Sequence, residues 1–203
     1  MSKANPLEST PSAVGAIRTL LALALALGLL VLPGCSDLGG GGGELTVSLQ
    51  DGIGSGLGGA GFEGELRTVV MAEVQDDFGF WAEVTGSPQQ VNLPVGESDT
   101  VVEFGRRTLA SGTYTRMRLV FTQVEAHLTD APPGFEMPSD GVVQVVFSTG
   151  DRTTVERPAT LFIDSDQDAE VIFTLNSGQW LPSGEDGTVT AQSFRSAVTI
   201  DIP

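Results

Sequence analysis

From Glu44 onward the apolar residues of this chain recur at every second position, and turn residues interrupt them at short intervals. Leu45, Val47 and Leu49 share one side, while Thr46 and Ser48 share the other. Similar runs occupy 69–74, 80–84, 91–93, 101–104, 114–128, 142–147, 153–156, 161–163, 171–175, 189–194 and 198–202. A period of two sends alternate side chains to opposite faces of an extended strand, and no stretch of this region sustains the helical period. About ten short strands separated by turns predict an all-β fold, a single antiparallel β-sandwich or barrel over residues 44–203. The longest run changes phase: Met117, Leu119 and Phe121 share one parity, and Val124, Ala126 and Leu128 the other. A bulge, or a strand passing from one sheet to another, accounts for such a change.

Ten Lys and Arg residues stand against 26 Asp and Glu, a formal net charge of -16. That balance argues against nucleic acid as a partner, because too few cations exist to replace phosphate counterions. Hydrophobic residues make up 40% and charged residues 18% of the chain, a mixture that packs a core rather than remaining a polyelectrolyte. The single Cys excludes an intrachain disulfide, and the single His excludes a multi-His metal site.

The first 34 residues read as a leader. Lys3 and Arg18 precede LLALALALGLLVL at Leu20–Leu32, thirteen residues without a charge. As a helix that run spans about 20 Å, short of the roughly 30 Å hydrocarbon core. It suits the apolar region of a secretory signal better than a membrane span. Leu32-Pro33-Gly34-Cys35 resembles the lipobox of bacterial lipoproteins, with Pro33 in a slot that usually holds Ala, Ser, Thr or Val. The resemblance implies that the Cys35 thiol takes a diacylglycerol, that cleavage falls before it, and that the new N-terminus is acylated. In the enteric-bacterial pattern Ser36, rather than Asp, after the cysteine implies sorting to the outer membrane, although Asp37 follows at a position that some bacteria also read. A plain signal peptide, or an uncleaved anchor with Cys35 there by coincidence, is the competing reading.

Residues 35–43, the lipidated Cys and a Gly-rich linker, contain LGGGGG and predict a flexible tether ending near Glu44. A second Gly-rich stretch, DGIGSGLGGAGFEG at Asp51–Gly64, predicts a long mobile loop between strands. No helix pattern and no G-K-[ST] follows it, so it is not read as a phosphate cradle.

LTVSLQD at Leu45–Asp51, the aromatic-led strand Trp81–Leu93 and, most specifically, LASGTYTRMRLVF at Leu109–Phe121 carry a further likeness. Gly112, Tyr114, Arg118 and Leu119 match a turn-Gly, Tyr, Arg-Leu-Val pattern, and Asp168–Leu175 follows more loosely. In these the chain resembles a family of bacterial lipoprotein domains to which no function is assigned. The insertion at 52–64 departs from that family's short turn. The resemblance implies an immunoglobulin- or transthyretin-like sandwich on a lipid anchor and brings no catalytic residues. Within the motif, Tyr114 is expected to bury its ring and bond its hydroxyl to backbone, as in a tyrosine corner. Arg116 and Arg118 share a face and are expected to pair with surface carboxylates.

Three constellations are candidates for chemistry. Asp164, Asp166 and Asp168 alternate along DSDQD and could converge on Ca²⁺, although Ala169 and Leu175 exclude an EF-hand loop. An extracellular module of this kind would bind at roughly 10⁻⁴–10⁻³ M, and a simple polar turn is the alternative. His127 has Glu125 on its own face and Asp130 three residues on, but no G-x-S-x-G motif marks a nucleophile beside them. Trp81 and Trp180, with Phe78, Phe80 and Phe135, could form a stacking platform for sugar, or simply fill a core. The expectation from sequence is a lipid-anchored, non-enzymatic binding or structural protein of the cell envelope. It would hold a protein, glycan or cation partner, with a Ca²⁺- or carbohydrate-binding module as the alternative.

Overall fold

The structure is a computed structural model that describes residues 41–52, 61–95, 100–148, 150–165 and 167–203. The leader, Cys35 and the stretch 53–60 lie outside the described residues. Eleven strands are described: β1 Gly42–Gln50, β2 Glu63–Asp76, β3 Trp81–Glu83, β4 Gln89–Pro94, β5 Val101–Ala110, β6 Gly112–Asp130, β7 Val142–Val146, β8 Thr153–Ile163, β9 Ala169–Thr174, β10 Thr188–Thr190 and β11 Thr199–Asp201. Two short helices, α1 Ser177–Trp180 and α2 Ala191–Ala197, lie near the C-terminus, with a 3₁₀ turn at Leu181–Ser183. The strands form two sheets packed together. The smaller has the order β11-β9-β1-β5, the larger β10-β7-β6-β2-β3, with β4 also on β2 and β8 also on β6.

The sheets are mixed rather than antiparallel as expected. β1 runs parallel to β9, and β7 parallel to β10. Parallel neighbours need a long crossover, and alternation alone says nothing about which distant strands will meet. Their positions explain the burial of β1. It lies between β5 and β9, and Leu45, Val47, Ser48 and Leu49 are all buried.

Two long strands organise the larger sheet. β6 pairs with β2 along nearly its whole length. Its other edge pairs with β8 from Gly112 to Phe121 and with β7 from Glu125 to His127. β2 likewise passes from β4 at Glu65–Val70 to β3 at Glu73–Gln75. The expected phase change falls where these partners change. Val69 faces Gln123 and Val70 faces Phe121, which leaves Thr122 as the extra residue of a bulge. A second bulge leaves Thr115 unmatched between Tyr114 and Arg116, so Tyr114 and Met117, three residues apart, both point inward.

Three local readings are revised. β1 begins at Gly42, two residues inside the stretch read as tether. At Gly43 an added Cβ would lie 2.4 Å from the Asp164 carbonyl oxygen and 2.5 Å from that of Gln167, so glycine permits the close approach of the β8–β9 turn. The separate runs at 153–156 and 161–163 are one strand, β8, which tolerates Pro158 because, among the described residues, it pairs along one edge only, with β6. The run at 189–194 splits into β10 and α2. The Thr190 hydroxyl accepts from Ser193 N (3.2 Å) as an N-cap, and Ala191, Phe194 and Ala197 bury one face.

Tyr114 is buried, and its hydroxyl donates to the Ala110 carbonyl at 3.0 Å, as expected of a tyrosine corner. Desolvation, then the charge of Asp76, raises its phenol above the usual value. A raised acid binds its proton more tightly in the folded state. Folding stability should therefore fall as pH rises through the unfolded phenol value near 10 toward the folded one. Tyr114→Phe is expected to cost about 1 kcal/mol at neutral pH and to remove that alkaline decline. Urea titrations at neutral and alkaline pH measure both effects. Because this is the chain's only Tyr, difference absorbance reports its ionisation directly.

Candidate functional site

The pairing register aligns outward side chains of the larger sheet in rows. One row carries Glu83, Glu73, Arg118 and Glu156 from β3, β2, β6 and β8. Arg118 forms a two-pronged pair with Glu73, Nε–Oε2 2.6 Å and Nη2–Oε1 2.9 Å. Its guanidinium also lies 4.1 Å from the Trp81 ring centroid. The hydrogen bonds to Glu73 raise the Arg118 pKa further, so this cation is permanent. Arg116 pairs with Glu156 in the neighbouring row. The expectation that both arginines meet carboxylates therefore holds.

Toward the other end of the same face, His127 Nε2 lies 3.2 Å from Glu125 Oε2, and Gln144 Nε2 donates to Glu125 Oε1 at 3.2 Å. Asp130 does not complete a catalytic line. Its carboxylate accepts from the Ala131 N–H at 2.8 Å. Beside Gln144 opens a groove of about 510 Å³, lined by Glu136, Met137, Ser139, Asp140 and Asp186 among others. Three carboxylates on that lining suit a cationic or hydroxyl-rich ligand.

The Asp164–Asp168 segment is the turn between β8 and β9. Asp164 Oδ1 accepts from Ser165 N at 2.7 Å, and Gln167 N donates to the Asp164 carbonyl at 3.3 Å. Asp168 contributes to the field at Arg106, which is held protonated first by Glu103, then by Glu44. Asp166 lies outside the described residues. Among the described residues no three His, Cys, Asp or Glu side chains gather at metal-binding distance.

The aromatic platform does not exist as a unit. Trp180 is fully buried, with Nε1 donating to the Leu175 carbonyl at 3.1 Å, so it cannot stack on a ligand. Phe135 packs edge-on against Phe62, their centroids 5.0 Å apart. Only Phe78 and Phe80 of that set stand in solvent, next to the half-buried Trp81.

Sequence reasoning missed Asp51. The Gly-rich pattern puts Asp51 at the start of a mobile loop, yet it is wholly buried at the end of β1. Its carboxylate accepts from Ser177 N at 2.8 Å and from the Ser177 hydroxyl, tying β1 to the start of α1. The one available signal was its position directly after a fully apolar-faced strand, where an acid must find a partner. A comparison of the chain with protein-family models, with curated proteins and with solved structures finds no match.

Proposed function

We propose that this chain is a lipid-anchored, extracytoplasmic binding module of a bacterial envelope, held at Cys35 and working without catalysis. The observation that carries the proposal is the sole cysteine, which closes the only long apolar run in a Leu-Pro-Gly-Cys sequence. Several acyl chains, at about 0.8 kcal/mol per buried methylene, anchor a protein without a spanning helix. The resemblance to the lipoprotein domains rests on the sequence motif alone; the two-sheet packing and the Tyr114–Ala110 bond favour a sandwich, with two parallel strand pairs that set it apart from a purely antiparallel one. Ser36 favours the outer membrane.

The outer face of the larger sheet is the proposed working surface. Its polar side chains are committed to one another, as in the Glu73–Arg118 ion pair and the Glu125–His127 contact, which suits docking of a polar partner. Mass spectrometry of the protein purified from its own membranes tests the address. The mature chain should begin at Cys35 and carry diacylglycerol on sulfur and a fatty acid on nitrogen. An intact leader with a free thiol would overturn the reading.

A further inference from the structure

Phe78, Phe80 and Phe162 are 81%, 74% and 71% exposed, while the next large hydrophobic residue among those described, Val146, is 49% exposed. All three lie at one end of the larger sheet. Asp77 N donates to the Thr113 carbonyl at 3.2 Å, which sets the β2–β3 turn beside the start of β6. Thr113 in turn faces Phe162 on β8. The chain enters the domain at this same end. The Ser111 hydroxyl donates to the Gly41 carbonyl, Gly42 faces Ala110, and Gly112 faces Ile163.

The rings of Phe78 and Phe80 sit on an ordered turn rather than a loose one. Asp76 Oδ1 accepts from Phe78 N at 3.0 Å and from Phe80 N at 2.7 Å, and Gln75 Nε2 donates to the Gly79 carbonyl at 2.9 Å. A turn stapled in this way holds two large apolar rings in water, at a standing hydrophobic cost, unless something covers them.

The length of chain ahead of the domain indicates what does. From Cys35 to Gly41 is six residue steps, at most about 22 Å however that segment is arranged. An anchor at Cys35 therefore keeps the Gly41 end of the domain within that distance of the bilayer. We infer that Phe78, Phe80 and Phe162 form a second membrane contact, seating in the lipid interface and standing the domain on end. This rests on lipidation at Cys35. Phe side chains on the apolar face of a surface-bound segment bury at the boundary between headgroups and acyl chains. Asp76, Asp77, Asp164 and Asp168 share this end, so the surface suits zwitterionic lipid and is repelled by anionic lipid.

The test uses the full lipidated chain in phosphatidylcholine vesicles. With Cys35 blocked by lipid, Phe78→Cys supplies a unique thiol for an environment-sensitive dye, and Ser139→Cys supplies another on the far loop. Brominated acyl chains should quench the dye at 78 by about half or more and leave the dye at 139 unchanged. Replacing half of the lipid with phosphatidylglycerol should weaken the quenching. A dye at 78 that stays water-like while the protein sediments with the vesicles would overturn the inference and leave the anchor intact, pointing to a protein cover instead. Equal quenching at both sites would also overturn it, because the domain would then lie on its side. Failure of the unsubstituted chain to bind vesicles, with Cys35 taking up dye, would remove the anchor reading itself.

Discussion

Cys35→Ser, once the leader is also removed, is expected to move the protein from the membrane fraction to the soluble fraction. Membrane affinity scales with the apolar area buried in the bilayer. One acyl chain gives only marginal, reversible binding, and stable anchoring takes at least two signals. Without lipid, three phenylalanines at one end of an acidic domain are a weak and reversible contact. Because loss of the thiol also blocks processing, a companion variant is needed. It carries the same C35S substitution, with an ordinary cleavable leader in place of residues 1–34. The companion variant should fractionate as soluble after cell disruption, whereas the unsubstituted chain should require detergent. Continued membrane attachment of the companion variant would show that something other than the thiol holds the protein.

Trp180→Ala is expected to cost about 3–5 kcal/mol, a large part of the roughly 5–15 kcal/mol that holds a domain folded. Trp180 is fully buried and packs edge-on against Phe194 with centroids 5.6 Å apart, and Phe194 packs edge-on against Phe121 at 5.1 Å. These rings join α1, α2 and the middle of β6 in one cluster. Truncation empties the volume of an indole and also leaves the Leu175 carbonyl without its donor. A fall in melting temperature of about 10 °C is the corresponding observation for a chain of this size. Trp180→Phe keeps most of the volume and should cost much less. Loss of less than about 1 kcal/mol on truncation to Ala would show that the cluster is not part of the core.

What alternation can report was legible. Each expected strand run overlaps a strand of the structure except the second half of 189–194, and the phase change in 114–128 marks a bulge at Thr122. Alternation is a local signal, so it could not pair β1 with β9 in parallel. That pairing depends on residues more than a hundred positions apart. It also mistook α2 for strand, because Val189 to Phe194 is short and apolar at both ends, and only the Thr190 cap and the burial spacing of Ala191, Phe194 and Ala197 distinguish a helix. At the site, the net charge alone made it foreseeable that Arg116 and Arg118 would meet carboxylates, but not which ones. The burial of Trp180 and Asp51 was not, since composition cannot separate a ring or a carboxylate in a core from one on a surface.

The union of β1 with β9 has a consequence for how the protein comes into being. Gln50 Nε2 reaches Thr174 Oγ1 at 2.8 Å across 124 residues, and β11 then adds itself beyond β9. β1 thus has no neighbour on that side until β9, more than a hundred residues further along, has been made. Nascent lengths short of β9 hold a small sheet of β1 and β5 alone, so the interior between the two sheets is incomplete in them. On the proposed route to the envelope, maturation is in this way deferred to the far side of the bilayer.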